Sequence, residues 1–181
     1  MRVIAGEFRS RRLMSIPGAV TRPTSDRLRE TLFDILAARI EGATFVDAYA
    51  GTGAVGIEAL SRGARHVWFL ERSREALEVT RRNLASLALE ARSTVVAGLV
   101  LLTIARHPAD IVFLDPPYDK DREYEAALAA LSGIQSPLVI VQHSIRRTLP
   151  EVRGDLRRTR TVKQGDNALS FFAIAEPAVR K

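Results

Sequence analysis

The tetrapeptide Asp115-Pro116-Pro117-Tyr118 combines a carboxylate, two rigid prolines and an aromatic ring directly after a mostly apolar run, 110–114. The prolines stiffen the backbone and leave the carbonyl groups of Asp115 and Pro116 without competing local amide donors. The Asp115 carboxylate and the Pro116 carbonyl can then accept the two N–H bonds of an exocyclic amine on a base, which aims the nitrogen lone pair at a methyl donor. Tyr118 would stack on the base, a contact worth roughly 1–3 kcal/mol. The tetrapeptide therefore indicates methylation of an amine, and the alternative is a rigid turn that only ends a strand.

A glycine-rich turn stands earlier in the chain, where a strand is expected to give way to a helix. The stretch Gly51-Thr52-Gly53-Ala54-Val55-Gly56 matches the dinucleotide fingerprint, and Glu71 follows Gly51 by 20 residues, where a carboxylate reaches ribose hydroxyls. Asp47 just before the turn would repel a pyrophosphate and suits a cation, such as the sulfonium and amino group of S-adenosylmethionine. A nicotinamide site and a structural strand-helix turn are the alternatives.

The elements around these residues alternate between strand and helix patterns, which predicts an α/β fold with a mostly parallel sheet. Two short extended segments and a helix capped at 24–26 precede this alternation. A hairpin with its turn at Gly165-Asp166-Asn167 follows it and is expected to close one edge of the sheet. The predicted strands are 44–49, 66–70, 93–97, 110–114 and 138–142, the hairpin strands are 155–163 and 168–175, and the predicted helices are 26–39, 54–62, 74–87 and 123–131.

Composition and charge exclude several classes of protein. There is no cysteine and there are three histidines, so disulfides, thiol nucleophiles and a metal site are not expected. No apolar run is long enough to span a membrane, and the N-terminus lacks the apolar stretch of a signal, so we expect a cytoplasmic protein. The net charge is +6, and 24 of the 27 basic residues are arginine. Residues 1–30 carry seven arginines and residues 146–163 carry six, which favours a polyanion contacted from both ends, unless the arginines only cover a solvated face.

These motifs together resemble the S-adenosylmethionine-dependent methyltransferases with an Asp/Asn-Pro-Pro-Tyr/Phe box, and more narrowly the small-subunit rRNA guanine-N2 methyltransferase family (the RsmD type). The resemblance covers nearly the whole chain, and its most specific element is 22–33. The other stretches that carry it are 2–6, 47–64, Glu71, Asn83-Leu84, Asp115 to Tyr118 and the turn at 165–167.

The resemblance implies a Rossmann-like, class I methyltransferase fold with a seven-stranded sheet in a single domain, 1–181. Residues 1–40 would form an N-terminal hairpin and helix, and 41–181 the core. It also implies S-adenosylmethionine as cofactor and small-subunit rRNA as partner, free or within a partly assembled subunit, with the protein as a monomer that contacts no membrane and no metal. A DNA adenine-N6 methyltransferase and a non-catalytic rRNA-binding assembly factor are the alternatives.

The resemblance assigns three groups of site residues. Gly98 and Leu99 stand where the family has an acidic or amide residue, so backbone groups and apolar packing are expected to meet the adenine there. Ala48-Tyr49 replaces the Leu-Phe that the family carries in the turn. The expected cofactor residues are Asp47, Tyr49, Ala50, Gly51, Thr52, Gly53, Glu71, Arg72, Gly98, Leu99 and Asp115; the catalytic residues are Asp115, Pro116, Pro117 and Tyr118; and the RNA-binding residues are Arg9, Arg11, Arg12, Arg22, Thr24 and Arg27, each of which could instead lie on a solvated surface.

Overall fold

The computed structural model describes residues 1–16, 25–117, 121–134 and 138–174. Its helices are α1 (Asp26–Ile40), α2 (Ala54–Ser61), α3 (Arg74–Ser86), α4 (Val100–Thr103) and α5 (Asp121–Leu131). Its strands are β1 (Thr44–Ala48), β2 (His66–Glu71), β3 (Ser93–Ala97), β4 (Ile111–Leu114), β5 (Leu138–Ser144), β6 (Val152–Arg153), β7 (Leu156–Gln164) and β8 (Asn167–Ile174).

All eight strands belong to one sheet with the order β3-β2-β1-β4-β5-β8-β7-β6. The strands from β3 to β5 are parallel, and β8, β7 and β6 add to this sheet antiparallel. The predicted α/β class and the terminal hairpin are confirmed. The sheet has one strand more than the expected seven, because the two-residue β6 is too short to produce an alternating pattern in the sequence.

Strand order reverses between β1 and β4, where chain connections leave in opposite directions. In open α/β sheets, a crevice that can hold a ligand forms at the carboxyl ends of such strands. All four residues of β4 are buried, as its continuous apolar run predicts for a strand covered on both faces.

The core consists of two apolar clusters, one on each face of the sheet. Helices α1 and α2 cover the first cluster, which includes Phe33, Phe45 and Phe69. Helix α5 covers the second, which includes Val112 and Phe172. The sheet is therefore a rigid platform, and the loops at the carboxyl ends of its strands are held by packed elements on both sides.

A buried charge network fastens the N-terminal segment to the core. The carboxylate of Glu58 accepts hydrogen bonds from the amides of Ile4 and Ala5, at 2.8 and 3.0 Å, and from Nε of Arg62 at 2.9 Å. Arg29, fully buried, donates to the carbonyl of Arg2 and to Asp26. Arg2 and Arg12 form an antiparallel bridge, so residues 1–13 fold back on themselves against α2. Sequence reasoning did not find this network, because charged side chains on a helix resemble a solvated face.

Among the helices in the described part of the chain, none is long and apolar enough to cross a membrane.

Candidate active site

The ends of β1 and β4 bring the two sequence motifs side by side. Ala48 pairs with Leu114 across the parallel ladder, so the glycine turn and the Asp-Pro-Pro corner begin at the same level of the sheet. The amide of Asp115 lies 3.4 Å from the carbonyl oxygen of Ala48 and donates to it. Both motifs therefore face the crevice at the point where strand order reverses.

The glycine turn adopts a conformation that its residue types permit. Gly51 and Gly53 have φ of 57° and 77°, in the left-handed region that glycine enters without steric cost. A Cβ on Gly53 would meet Cγ2 of Thr80 at 3.0 Å, whereas the nearest atom to a Cβ on Gly51 is 4.0 Å away. The backbone of Gly51 is therefore open for close approach of a ligand, and that of Gly53 is packed against α3. Tyr49 has φ of 65°, which is strained for a residue with a side chain.

Hydrogen bonds hold this turn from two sides. The hydroxyl of Thr80 donates to the carbonyl of Gly51 at 2.9 Å, and Nδ2 of Asn83 donates to the carbonyl of Thr52 at 3.0 Å. Asn83 also exchanges hydrogen bonds with the backbone of Met14, at 2.7 and 3.2 Å. One buried amide thus joins the glycine turn to the N-terminal segment. From the sequence, Asn83 is recognised only as part of the family pattern, because an asparagine inside a helix has no signature of its long-range partners.

Glu71, at the end of β2, points its carboxylate at the turn. Its Oε2 accepts the amide of Gly51 at 3.0 Å, and its Oε1 accepts the amides of Arg72 and Ser73 at 2.8 Å each. Two carboxylate oxygens offer about four acceptor positions, so Oε2 keeps a position for a hydroxyl of a ligand. The amide of Gly98 donates to the carbonyl of Glu71 at 2.9 Å, and Leu99 follows with half its surface exposed. The exposed side chain of Leu99 therefore lies in the loop that follows β3, whose last residue Ala97 pairs with Glu71.

Asp47 lies below the turn, almost fully buried, and accepts the amide of Gly56 at 2.8 Å. Burial raises its pKa to about 8; the hydrogen bond from Gly56 opposes this shift, and the charges of Asp115 and Glu71 add to it. The sequence argument treats Asp47 as an anion that attracts a cation, but the structure keeps its carboxyl largely protonated near neutral pH. Three carboxyl groups converge here, so a cation between them would be stabilised and would lower the pKa of Asp47.

The Asp-Pro-Pro corner has a partner that the sequence argument overlooked. The hydroxyl of Tyr124 in α5, which is buried, donates to the carbonyl oxygen of Pro116 at 3.1 Å. The prediction concerned amide donors only and did not include a hydroxyl group from α5. A carbonyl oxygen has two lone pairs, so Pro116 can still accept a second hydrogen bond while Tyr124 fixes its direction.

Tyr49 links the glycine turn to the same helix. Its hydroxyl donates to Oε1 of Glu123 at 3.0 Å. Burial first, and then the bond to Glu123, raise the pKa of Tyr49, so its hydroxyl remains protonated as a donor. Helix α5 therefore holds both the turn, through Glu123, and the corner, through Tyr124.

The expected RNA-binding residues are only partly described. Arg9, Arg11, Arg12 and Arg27 are exposed, and Arg11 donates to the carbonyl of Ser86 at 3.2 Å. The described residues do not include the expected RNA-binding residues Arg22 and Thr24. They also do not include the expected catalytic residue Tyr118.

The fold and its solved neighbours define a class I methyltransferase. The chain superposes on the structure titled "Putative methyltransferase yhhF from Escherichia coli" with a TM-score of 0.84 and 32% identity, covering 97% of this chain and 98% of that one. It is 33% identical to the "Putative rRNA methyltransferase YlbH" of Bacillus subtilis (strain 168), over 95% of this chain and 98% of that protein. It is 41% identical to the "Ribosomal RNA small subunit methyltransferase D" of Escherichia coli (strain K12), over 84% of this chain and 79% of that protein.

A model of the family described as "Conserved hypothetical protein 95" matches residues 1–173. The chain belongs to this family, the RsmD type of ribosomal RNA small subunit methyltransferase, as the sequence motifs predict.

Proposed function

We propose that this protein transfers a methyl group from S-adenosylmethionine to the exocyclic N2 amine of a guanine in small-subunit rRNA. The observation that supports the proposal most is the contact of Asp115 with the end of β1, which brings the proposed amine acceptor site next to the proposed nucleoside site. Relatives named as rRNA methyltransferases support rRNA as the acceptor.

The residues present fit this cofactor. Glu71 has a remaining acceptor position for a ribose hydroxyl, the Gly51 backbone is open, and Leu99 provides an apolar surface for the adenine. Asp47, Glu71 and Asp115 together favour a cationic ligand over a pyrophosphate. When bound, S-adenosylmethionine supplies an electrophilic methyl group on a positively charged sulfur. Tyr49, Ala50, Thr52, Gly53, Arg72 and Gly98 complete the proposed cofactor site.

The corner holds the acceptor base. The Asp115 carboxylate and the free lone pair of the Pro116 carbonyl accept the two N–H bonds of the amine, and Pro117 stiffens the turn. This arrangement aims the nitrogen lone pair at the methyl group, and such orientation supplies much of the rate in a transfer between two bound molecules. The amine loses one proton as the new bond forms, and the Asp115 carboxylate is positioned to take it. Tyr118 stacks on the base.

Guanine N2 is not accessible for this chemistry inside a duplex, so the target lies in a loop or is flipped out. The exposed arginines Arg9, Arg11, Arg12 and Arg27, with Arg22 and Thr24, then contact the RNA. We propose that the enzyme acts in the cytoplasm as a monomer on rRNA, either free or in a partly assembled subunit.

The test is transfer of tritium from labelled S-adenosylmethionine to three acceptors: deproteinised small-subunit rRNA, partly assembled subunits, and DNA. The RNA comes from cells that lack this enzyme, so that its target is unmodified. Nucleoside analysis then identifies the product. We expect N2-methylguanosine from rRNA or from the particle, and no label in DNA. Label in N6-methyladenine would contradict the proposed acceptor.

A further inference from the structure

The loop that follows β5 borders a second cavity next to the Asp-Pro-Pro corner. Because β5 runs parallel to β4 and pairs with it, this loop leaves the sheet at the same edge as Asp115. The cavity has a volume of about 560 Å³, and its lining includes Tyr124, Glu125, Ser144, Arg146, Arg147 and Thr148. Its position allows one extended ligand to occupy both the corner and the cavity.

Tyr124 forms the wall between the two spaces. Its hydroxyl donates to the carbonyl of Pro116 at 3.1 Å, and the guanidinium carbon of Arg147 lies 4.2 Å from the centre of its ring. A cation–π contact thus holds Arg147 against the ring of Tyr124. A single side chain separates the proposed base acceptor from a guanidinium group.

The cavity is electrostatically suited to an anion. Arg146 is exposed, and its guanidinium makes no ion pair with any residue in the described part of the chain. Arg147 and Arg158 both lower the pKa of the buried His143, after the larger effect of its burial. Both guanidinium groups therefore lie near the loop, and that of Arg158 is 3.7 Å from the carboxylate of Glu151. Among the described lining residues, Glu125 is the one acidic side chain. The hydroxyls of Ser144 and Thr148 add neutral donors.

We infer that this cavity binds a backbone phosphate of the acceptor RNA next to the target nucleotide, with Arg146 as its principal ligand. The inference rests on the proposed function, because it requires a base at Pro116. In a nucleotide, a single ribose connects the base to its phosphate. A base bound at the Asp-Pro-Pro corner would therefore carry a phosphate close to the cavity, which only the side chain of Tyr124 separates from the corner. Guanidinium groups bind phosphate oxygens in pairs. The site fixes the strand on one side of the target and helps hold the base out of its stack.

The test compares Arg146→Ala with Arg39→Ala in the otherwise intact chain. Arg39 is an exposed arginine in α1 at the opposite end of the sheet, near Gly42 and Ala43, so its replacement removes the same charge from a remote surface. Binding to unmodified, deproteinised small-subunit rRNA is measured across a series of salt concentrations, together with single-turnover methyl transfer. Thermal unfolding of each variant establishes that the fold is retained.

We expect Arg146→Ala to weaken binding roughly fivefold to twentyfold and to reduce the salt slope by about 0.7–0.9, the value for one phosphate contact. Arg39→Ala should leave both unchanged. Equal slopes for Arg146→Ala and the wild-type protein would overturn the inference, and so would equal losses in both variants. If the wild-type protein binds the RNA without methylating it, the proposed function fails, while the slopes still decide whether the phosphate site exists.

A second measurement locates the phosphate once the modified guanine is mapped. Short RNAs carrying the target are made with a neutral methylphosphonate at each flanking position in turn. One substitution should weaken binding to the wild-type protein and have no effect on binding to Arg146→Ala. If every substitution weakens both proteins equally, Arg146 does not contact a flanking phosphate and the inference is wrong.

Discussion

The amide of Asp115 donates to the carbonyl oxygen of Ala48 across 3.4 Å, and this contact joins the last residue of β1 to the first residue after β4. It fixes the distance between the glycine turn that follows Ala48 and the Pro116 carbonyl that follows Asp115. A cofactor bound at the turn and an amine bound at the corner would therefore meet in one crevice.

Replacement of Glu71 by glutamine should weaken the binding of S-adenosylmethionine at least tenfold. The carboxylate accepts three backbone amides and keeps one acceptor position, whereas a glutamine has a single oxygen and turns an NH₂ group toward donors. The matched control is Glu78→Gln in α3, which removes only an exposed pair with Arg82. Isothermal titration calorimetry measures both, and equal affinities for the two variants would exclude Glu71 from the cofactor site.

Asp47→Asn should make the cofactor-free protein more stable than the wild type, and this gain in stability should increase with pH. The pKa of Asp47 is raised to about 8 in the folded state from an ordinary value of 3.8, so the wild-type protein loses stability between pH 4 and pH 8 as the unfolded chain gives up a proton that the folded chain keeps. Asparagine still accepts the amide of Gly56 and carries no charge. The gain in the free energy of unfolding should be near zero at pH 4 and should reach roughly 2–5 kcal/mol at pH 8.

Urea unfolding of wild-type protein and Asp47→Asn at several pH values checks this expectation. The same variant should bind S-adenosylmethionine more weakly. A bound cation favours the ionised form of Asp47, whereas asparagine cannot become an anion. A gain in stability that does not depend on pH would show that the side chain is not the titrating group.

Gly53→Ala and Gly42→Ala form a matched pair. Both glycines have positive φ, 77° and 72°, but a Cβ on Gly42 meets nothing within 4 Å, whereas one on Gly53 meets Thr80 and Phe69. We expect Gly42→Ala to cost about 1 kcal/mol of unfolding free energy from backbone strain alone. Gly53→Ala should cost roughly 2–4 kcal/mol and should also weaken cofactor binding, because Thr80 holds the Gly51 carbonyl. Equal costs would contradict the packing described for the turn.

Tyr124→Phe should lower the single-turnover rate of methyl transfer roughly tenfold with little change in cofactor affinity. The substitution keeps the ring under Arg147 and removes only the hydroxyl that orients the Pro116 carbonyl, a bond worth about 1 kcal/mol. Tyr124 acts through Pro116, so a purely structural role would lower stability without a specific loss of rate. Rate and melting temperature are measured on the same preparation, and an unchanged rate would mean that the Pro116 carbonyl needs no orientation.

The strongly periodic elements could be predicted from the sequence, and their interactions across the fold could not. β4 is a continuous apolar run, so its position follows from local pattern. The alternation predicted for the second hairpin strand is wrong for β8, in which Ala168 to Phe172 are all buried, because this strand lies inside the sheet between β5 and β7. Helix α4, Val100–Thr103, has four residues and no side-chain cap, which is too short for a helical period to appear. The motifs at Asp47 and Asp115 were found because their residue types are unusual at strand ends.

The sequence contains no comparable signal for the side chains that support the motifs at Asp47 and Asp115. The contact of Tyr124 with Pro116 joins residues 8 positions apart in the sequence, and Asn83 lies 69 positions from Met14 and 31 from Thr52. The raised pKa of Asp47 arises from burial, which depends on the packing of the whole sheet.

The role of the Asp-Pro-Pro corner is decided by single-turnover methyl transfer with Asp115→Ala, measured together with the affinities for unmodified rRNA and S-adenosylmethionine. We expect transfer to fall at least about 10²-fold, as when a group that acts in the transition state is removed, while RNA affinity stays within a few-fold of wild type. Transfer at the wild-type rate would show that the corner beside Ala48 has no part in the chemistry.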